Sequence, residues 1–177
     1  MEENKTREEA IEKLRSLIKD IQTAMLTTID GGMLRSRPMQ TQQTEFDGDL
    51  WFFTSSETHK TEEIEKDNRV NLAYASPNDN SYVSVSGRAE LVKDRAKMEE
   101  LWNPILKAWF PKGLDDPNIT LLKVSVESAE YWDSTSSTIV QVAGFIKALV
   151  TGTRADGGEN EKINNINIFG SPGGRQD

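Results

Sequence analysis

The chain has 177 residues, 36% hydrophobic and 28% charged, which suits one globular domain, alone or with an appendage. Its 29 acidic against 21 basic residues leave a formal charge of −8. With no basic run to offset that charge, non-specific nucleic-acid binding and docking on anionic membranes are excluded, since both need clustered Lys and Arg. Cysteine is absent and histidine occurs once, which excludes disulfides, thiolate chemistry and multi-imidazole metal sites.

The opening MEENKTREEA is charged and has no signal-peptide core, and no apolar run approaches the ~20 residues of a membrane span, so the expectation is a soluble cytoplasmic protein. Residues 6–21 place Ile11, Leu14, Leu17, Ile18 and Ile21 on one helical stripe, with Thr6 and Glu9 reading as a capping box. TAMLTTID (23–30) reads as a strand ending in the turn Asp30-Gly31-Gly32. The chain returns as a long strand over 33–46, where Pro38 points to a sheet edge or a bulge. LWFFT (50–54) is a third strand, followed by a helix at about 57–66. Strands follow at 69–76 and 82–92, the latter with Val83, Val85, Gly87, Ala89 and Leu91 on one face. Asp94 caps a helix through Trp102, Pro104 opens a further turn, and 119–133 is the last long strand. Residues 138–150 read as a helix, and the Gly- and Asn-rich segment 151–177 as a mobile tail.

Successive hairpins with few crossovers make this an α+β protein: about six antiparallel strands closing into a small barrel, with flanking helices. The domain is expected to span 1–150.

The segment WFFTSSETHKTEEIEK (51–66) carries the chemistry. A strand feeding a helix leaves free amides at the helix start, where Ser55 or Ser56 can cap and Lys60 can meet an anion. A well-capped surface helix is the bland alternative. Arg35 and Arg37 share one face of the preceding strand, and an arginine there could join Ser55, Ser56 and Lys60 around a phosphate; solvated surface arginines are the alternative. The aromatics are core by default, although a flat ring would need such walls. His59, alone in an exposed turn, reads as solvated. Asp47/Asp49 and Asp115/Asp116 read as turn residues, leaving no metal site.

The order TAMLTTID, RSRPM, WFFTSSETHKTEEI, VSVSGRAELV and EYWD resembles the FMN-binding split barrels of the pyridoxamine 5'-phosphate oxidase-like superfamily. More narrowly it is similar to the general stress protein 26 branch, which carries segments like WFPKGLDDP. The resemblance, over roughly residues 8–150, implies a six-stranded antiparallel split β-barrel and a homodimer with FMN at the subunit interface. It implies Arg37 and Lys60 at the phosphate and Pro38, Met39 and Gln40 along the flavin edge. Phe53 and Thr54 would stand beside the ring, with Ser55, Ser56 and Thr58 as added hydroxyl contacts. Trp132 matches an aromatic that reaches the flavin from the partner subunit.

The departures narrow the activity. Gln42 stands where the oxidases have a substrate-binding lysine, Ser134-Thr135-Ser136-Ser137 replaces an arginine–histidine pair after EYWD, and a C-terminal arginine contact to FMN is missing. The resemblance therefore implies an FMN-dependent, stress-related oxidoreductase with a nicotinamide as candidate electron donor, and argues against true pyridoxamine phosphate oxidation. A non-catalytic flavin-binding or buffering protein is the alternative. A barrel holding another phosphorylated ligand or haem is a third, with His59 a poor haem ligand.

Overall fold

The computed structural model describes residues 2–42, 46–133 and 159–164. Helix α1 (Glu2–Ile18) leads into the strands β1 (Thr23–Asp30), β2 (Met33–Gln40) and β3 (Asp49–Ser55). Helix α2 (His59–Lys66), β4 (Arg69–Ser76), β5 (Ser81–Val92) and α3 (Arg95–Leu101) follow. Two 3₁₀ turns, Pro104–Ala108 and Gly113–Asp115, precede β6 (Ile119–Asp133), and β7 (Glu159–Asn164) closes the described chain. The helix expected at 138–150 lies outside the described residues. Within the segment read as a tail, residues 159–164 form a strand that pairs with Ser128–Asp133 of β6. Among the described residues no helix is long and apolar enough to cross a membrane.

All pairings among the described residues are antiparallel, and the main path runs β2-β1-β4-β5-β6-β3. This is the split-barrel sheet that the sequence implies, with β2 at one edge as Pro38 requires. Gly31 and Gly32 turn β1 into β2 with φ of 56° and 86°. Two consecutive positive values make a primed hairpin turn, whose twist suits the flanking strands. The expected long strand over 33–46 is corrected: β2 stops at Gln40 because the chain changes partners there. Thr41 N–H donates to Gln22 O at 2.9 Å, closing the β1 ladder, and Gln42 N–H then donates to Trp51 O of β3 at 3.4 Å. That crossing brings the two sheet edges together.

The alternation in β5 is realised, with Val83, Val85 and Ala89 buried inward. They meet Leu26, Leu72, Tyr74, Leu122 and Val124 in a core capped by Leu14 and Ile18 of α1. Helix α1 starts at Glu2, earlier than the sequence suggests, so Thr6 lies within the helix and not at its N-cap position; EENKT has no Gly or Pro to delay the helix. Its far end stops at Ile18, leaving Ile21 to pack against the core from the connection to β1. A second cluster forms on the other face of β3 and β6. There Phe53, Ile119 and Leu121 are covered by Met98 and Leu101 of α3 and by Leu106 of the first 3₁₀ turn. Strands β3 and β6 are therefore buried on both sides, and the second cluster becomes one wall of the site.

Between β5 and β6 the register shifts at Ser86/Gly87, so that Ser86 faces Ser128 while Gly87 faces Val126. This bulge brings the backbones unusually close: a Cβ on Gly87 would lie 2.3 Å from the Ser125 carbonyl oxygen.

Candidate functional site

The local structure after β3 explains how α2 begins. Ser55 Oγ accepts from Glu57 N–H at 3.3 Å, a tight turn that ends the strand. Thr58 then caps the helix: its side chain accepts from Thr61 N–H, and the Thr61 side chain answers the Thr58 N–H at 3.2 Å. The capping residue is thus Thr58, not Ser55 or Ser56, and the serines serve the turn before it. A hydroxyl cap is worth ~1 kcal/mol. Thr58→Ala is accordingly expected to cost about 1 kcal/mol in urea unfolding; an unchanged midpoint would show that the Thr61 contacts carry the turn alone.

A cavity of about 530 Å³ opens between the end of β2, the end of β3, the start of α2 and the first 3₁₀ turn. Of the residues singled out in the sequence, Pro38, Met39, Gln40, Phe53, Thr54, Ser55, Thr58 and Lys60 line it. Because β2 is an edge strand, one backbone flank along Pro38–Gln40 has no strand partner among the described residues. Gln40 also keeps a buried side-chain oxygen with no hydrogen-bond donor among the described residues. Such an atom costs free energy unless something else donates to it.

The polar end of the cavity is Lys60. Its only described hydrogen bond runs from Nζ to the Met39 thioether sulfur at 3.4 Å, a weak acceptor for an ammonium. Burial first, and the Arg37 charge second, hold its pKa down at about 8, with Glu63 opposing them. Arg37 itself does not line the cavity. Its Nη1 donates to Thr28 Oγ1 at 2.7 Å and its Nη2 to Glu63 at 2.8 Å. Burial alone would raise the Glu63 carboxyl, but hydrogen bonds from Thr28 and Arg37 and the arginine's charge together hold it below its ordinary value.

The other end is aromatic and apolar. Phe53 meets Trp102 edge-on at 5.5 Å between centroids and Phe110 at 6.4 Å. Leu106, Trp109 and Phe110 complete the wall, with Trp109 63% exposed at the rim. Gln22 and Thr23, which the sequence does not point to, also line the cavity, as does Gln42, the residue at the oxidases' lysine position. Ser56 is exposed and does not line the cavity. Trp132 stands on the outer sheet face opposite Tyr82. His59 is solvated, its side chain 96% exposed and 3.6 Å from Glu62.

A family profile described as "Pyridoxamine 5'-phosphate oxidase like" matches residues 9–156. The chain belongs to the pyridoxamine 5'-phosphate oxidase-like family. Among relatives of this family, protein bli-3 of Neurospora crassa is 33% identical over 159 residues, covering 84% of this chain and 76% of that protein. General stress protein 26 of Bacillus subtilis is 29% identical over 136 residues, covering 74% of this chain and 94% of that one. Among solved structures, the general stress FMN/FAD binding protein of the phytopathogen Xanthomonas citri superposes with a TM-score of 0.63 at 32% identity. That match covers 73% of this chain and 92% of the other. The family match spans both ends of the cavity, from β2 to the aromatic wall.

Proposed function

We propose that this chain binds FMN non-covalently and is a stress-related flavin oxidoreductase. The observation that carries the reading is the polarity of the cavity: a weakly partnered lysine at one end and an aromatic wall at the other. FMN has the matching shape, a phosphate dianion at one end and a flat ring system at the other. Lys60 with the Thr58 and Ser55 hydroxyls would hold the phosphate. Phe53 would wall the ring, while the open flank of β2 and the unpaired Gln40 oxygen would meet its polar edge. The Xanthomonas relative, described as an FMN/FAD binding protein, supports a flavin as the ligand. When bound, the flavin supplies hydride and electron transfer.

A homodimer completes this reading. Met25, Tyr82 and Trp132 are 42%, 38% and 39% exposed. The registers Met25↔Ala73 and Ala75↔Tyr82↔Trp132 put all three on one outward sheet face, next to small residues. Solvent-facing apolar clusters of this kind mark association sites. A second copy seated there would bring its Trp132 toward the neighbouring flavin. A nicotinamide is the proposed electron donor. Oxidation of pyridoxamine phosphate is disfavoured, because Gln42 lines the cavity where the oxidases carry a lysine.

One observation favours the second reading, a flavin-binding protein without turnover. Lys60 is the sole titratable side chain among the described lining residues, which hold no carboxylate or imidazole to act as a separate general base. The decisive experiment is uptake of FMN by purified protein, followed by anaerobic addition of NADH or NADPH. FMN uptake with bleaching of the flavin band supports the oxidoreductase; uptake without bleaching by either donor supports the carrier. A protein that takes up no FMN overturns both.

A further inference from the structure

Glu63 sits one helical turn beyond Lys60 and is only 6% exposed. Carboxylates at that depth persist only when paired and hydrogen-bonded. Here the pairing closes a ring across three elements: Thr28 of β1 donates to Glu63 of α2, Arg37 of β2 donates to Glu63 at 2.8 Å, and Arg37 also donates to Thr28 at 2.7 Å. Thr28 itself is fully buried. A guanidinium has five N–H groups, and this ring uses one from each Nη atom. Among the described residues the rest of the guanidinium makes no hydrogen bond and can donate elsewhere. Its position is also tied to the lysine, because Lys60 and Glu63 share one face of α2 while Arg37 and Met39 share one face of β2. Anchoring α2 does not require this device, since Ile64 already buries against the core. A buried ion pair is moreover a poor source of net stability compared with apolar residues of similar volume.

We propose that Glu63 and Thr28 are positioning residues that hold Arg37 beside Lys60, so that the two cations together receive the phosphate of FMN. The proposal rests on the FMN reading above. Without the ring, two neighbouring cations repel and the longer, more mobile arginine swings away from the lysine. With it, the guanidinium is fixed before the ligand arrives, and the cost of ordering it is not charged against binding.

The test compares FMN with riboflavin, which has the same ring and no phosphate. Apoprotein of wild type, Thr28→Val, Glu63→Gln and Thr28→Ser is titrated with each flavin, following quenching of flavin fluorescence. Thr28→Val and Glu63→Gln are expected to weaken FMN about tenfold and leave riboflavin unchanged, as loss of one charge-assisted contact predicts. Thr28→Ser, which keeps the hydroxyl, is expected to retain the wild-type ratio. Equal weakening of both flavins would reduce the ring to a structural role and overturn the proposal. Unchanged or tighter FMN binding would also overturn it, showing Glu63 to be a competitor for Arg37. Wild type that binds neither flavin would instead overturn the FMN reading itself.

Discussion

Gly87→Ala is expected to destabilise the protein by about 3 kcal/mol, the upper range for forced overpacking, and to lower its melting temperature by roughly 6–12 °C. The added methyl would stand 2.3 Å from the Ser125 carbonyl oxygen and 3.2 Å from a Val124 side-chain carbon. The oxygen belongs to the backbone of β6, which is paired along β5 and β3 at once, so neither strand can step aside without breaking a ladder. Gly31→Ala is the useful contrast. Its φ of 56° strains an alanine, yet nothing lies within 4 Å of the new Cβ, so its cost is expected to be ~1 kcal/mol. Thermal unfolding of the two variants side by side checks the argument; equal losses would show that the bulge has room to relax.

Lys60→Ala is the second large effect. Removing the ammonium is expected to weaken FMN roughly 10- to 100-fold, the worth of one or two charge-assisted hydrogen bonds, with riboflavin unaffected. The pH dependence carries a sign that distinguishes this lysine from an ordinary one. In the ligand-free protein its pKa is lowered to about 8 from 10.5. Above pH 8 the free protein loses the proton that the phosphate needs, so FMN affinity falls as pH rises. Stability of the ligand-free fold moves the other way. Between about 8 and 10.5 the unfolded chain holds the Lys60 proton and the folded chain does not, so this group's contribution to stability rises with pH. Titration of FMN binding across pH 7–10 and urea unfolding over the same range read the two slopes. Affinity that stays flat through pH 9 would remove Lys60 from the phosphate.

Much of the sheet was legible because turn residues mark its limits. β1, β4 and β6 fall where the sequence reading placed them, bounded by Gly31-Gly32, by Pro77 and by the Asp116-Pro117 turn. β2 reads too long from sequence because no Gly or Pro interrupts the chain between Met39 and Phe46; nothing local says that the chain there leaves one strand for another. The cap at Thr58 was missed because three hydroxyls precede α2, and only geometry tells which of them reaches Thr61. The site was legible where it lies along β2 and β3, whose segments are close in sequence. Its aromatic wall was not assigned to it, since Leu106, Trp109 and Phe110 arrive from a segment some fifty residues later, although WFPKGLDDP had marked that segment as a family feature. Glu63 was invisible for another reason. In THKTEEIEK it looks like one more solvated acid, and only the packing of α2 over β1 and β2 turns it inward to Thr28 and Arg37.

β6 also governs the order in which this protein can be made. It pairs β5 along most of its length, β3 through Ile119–Ser125 and β7 through Ser128–Asp133. Until the ribosome has released that strand, β3 and β5 have no neighbour on their β6 sides and present unpaired hydrogen-bonding groups to other nascent chains. Closure is thus deferred to the later part of synthesis, across sequence separations that make pairing slow. A chain stopped short of β6 therefore holds only part of the sheet, and the wall of the cavity that Phe53 provides is backed only when β6 pairs with β3.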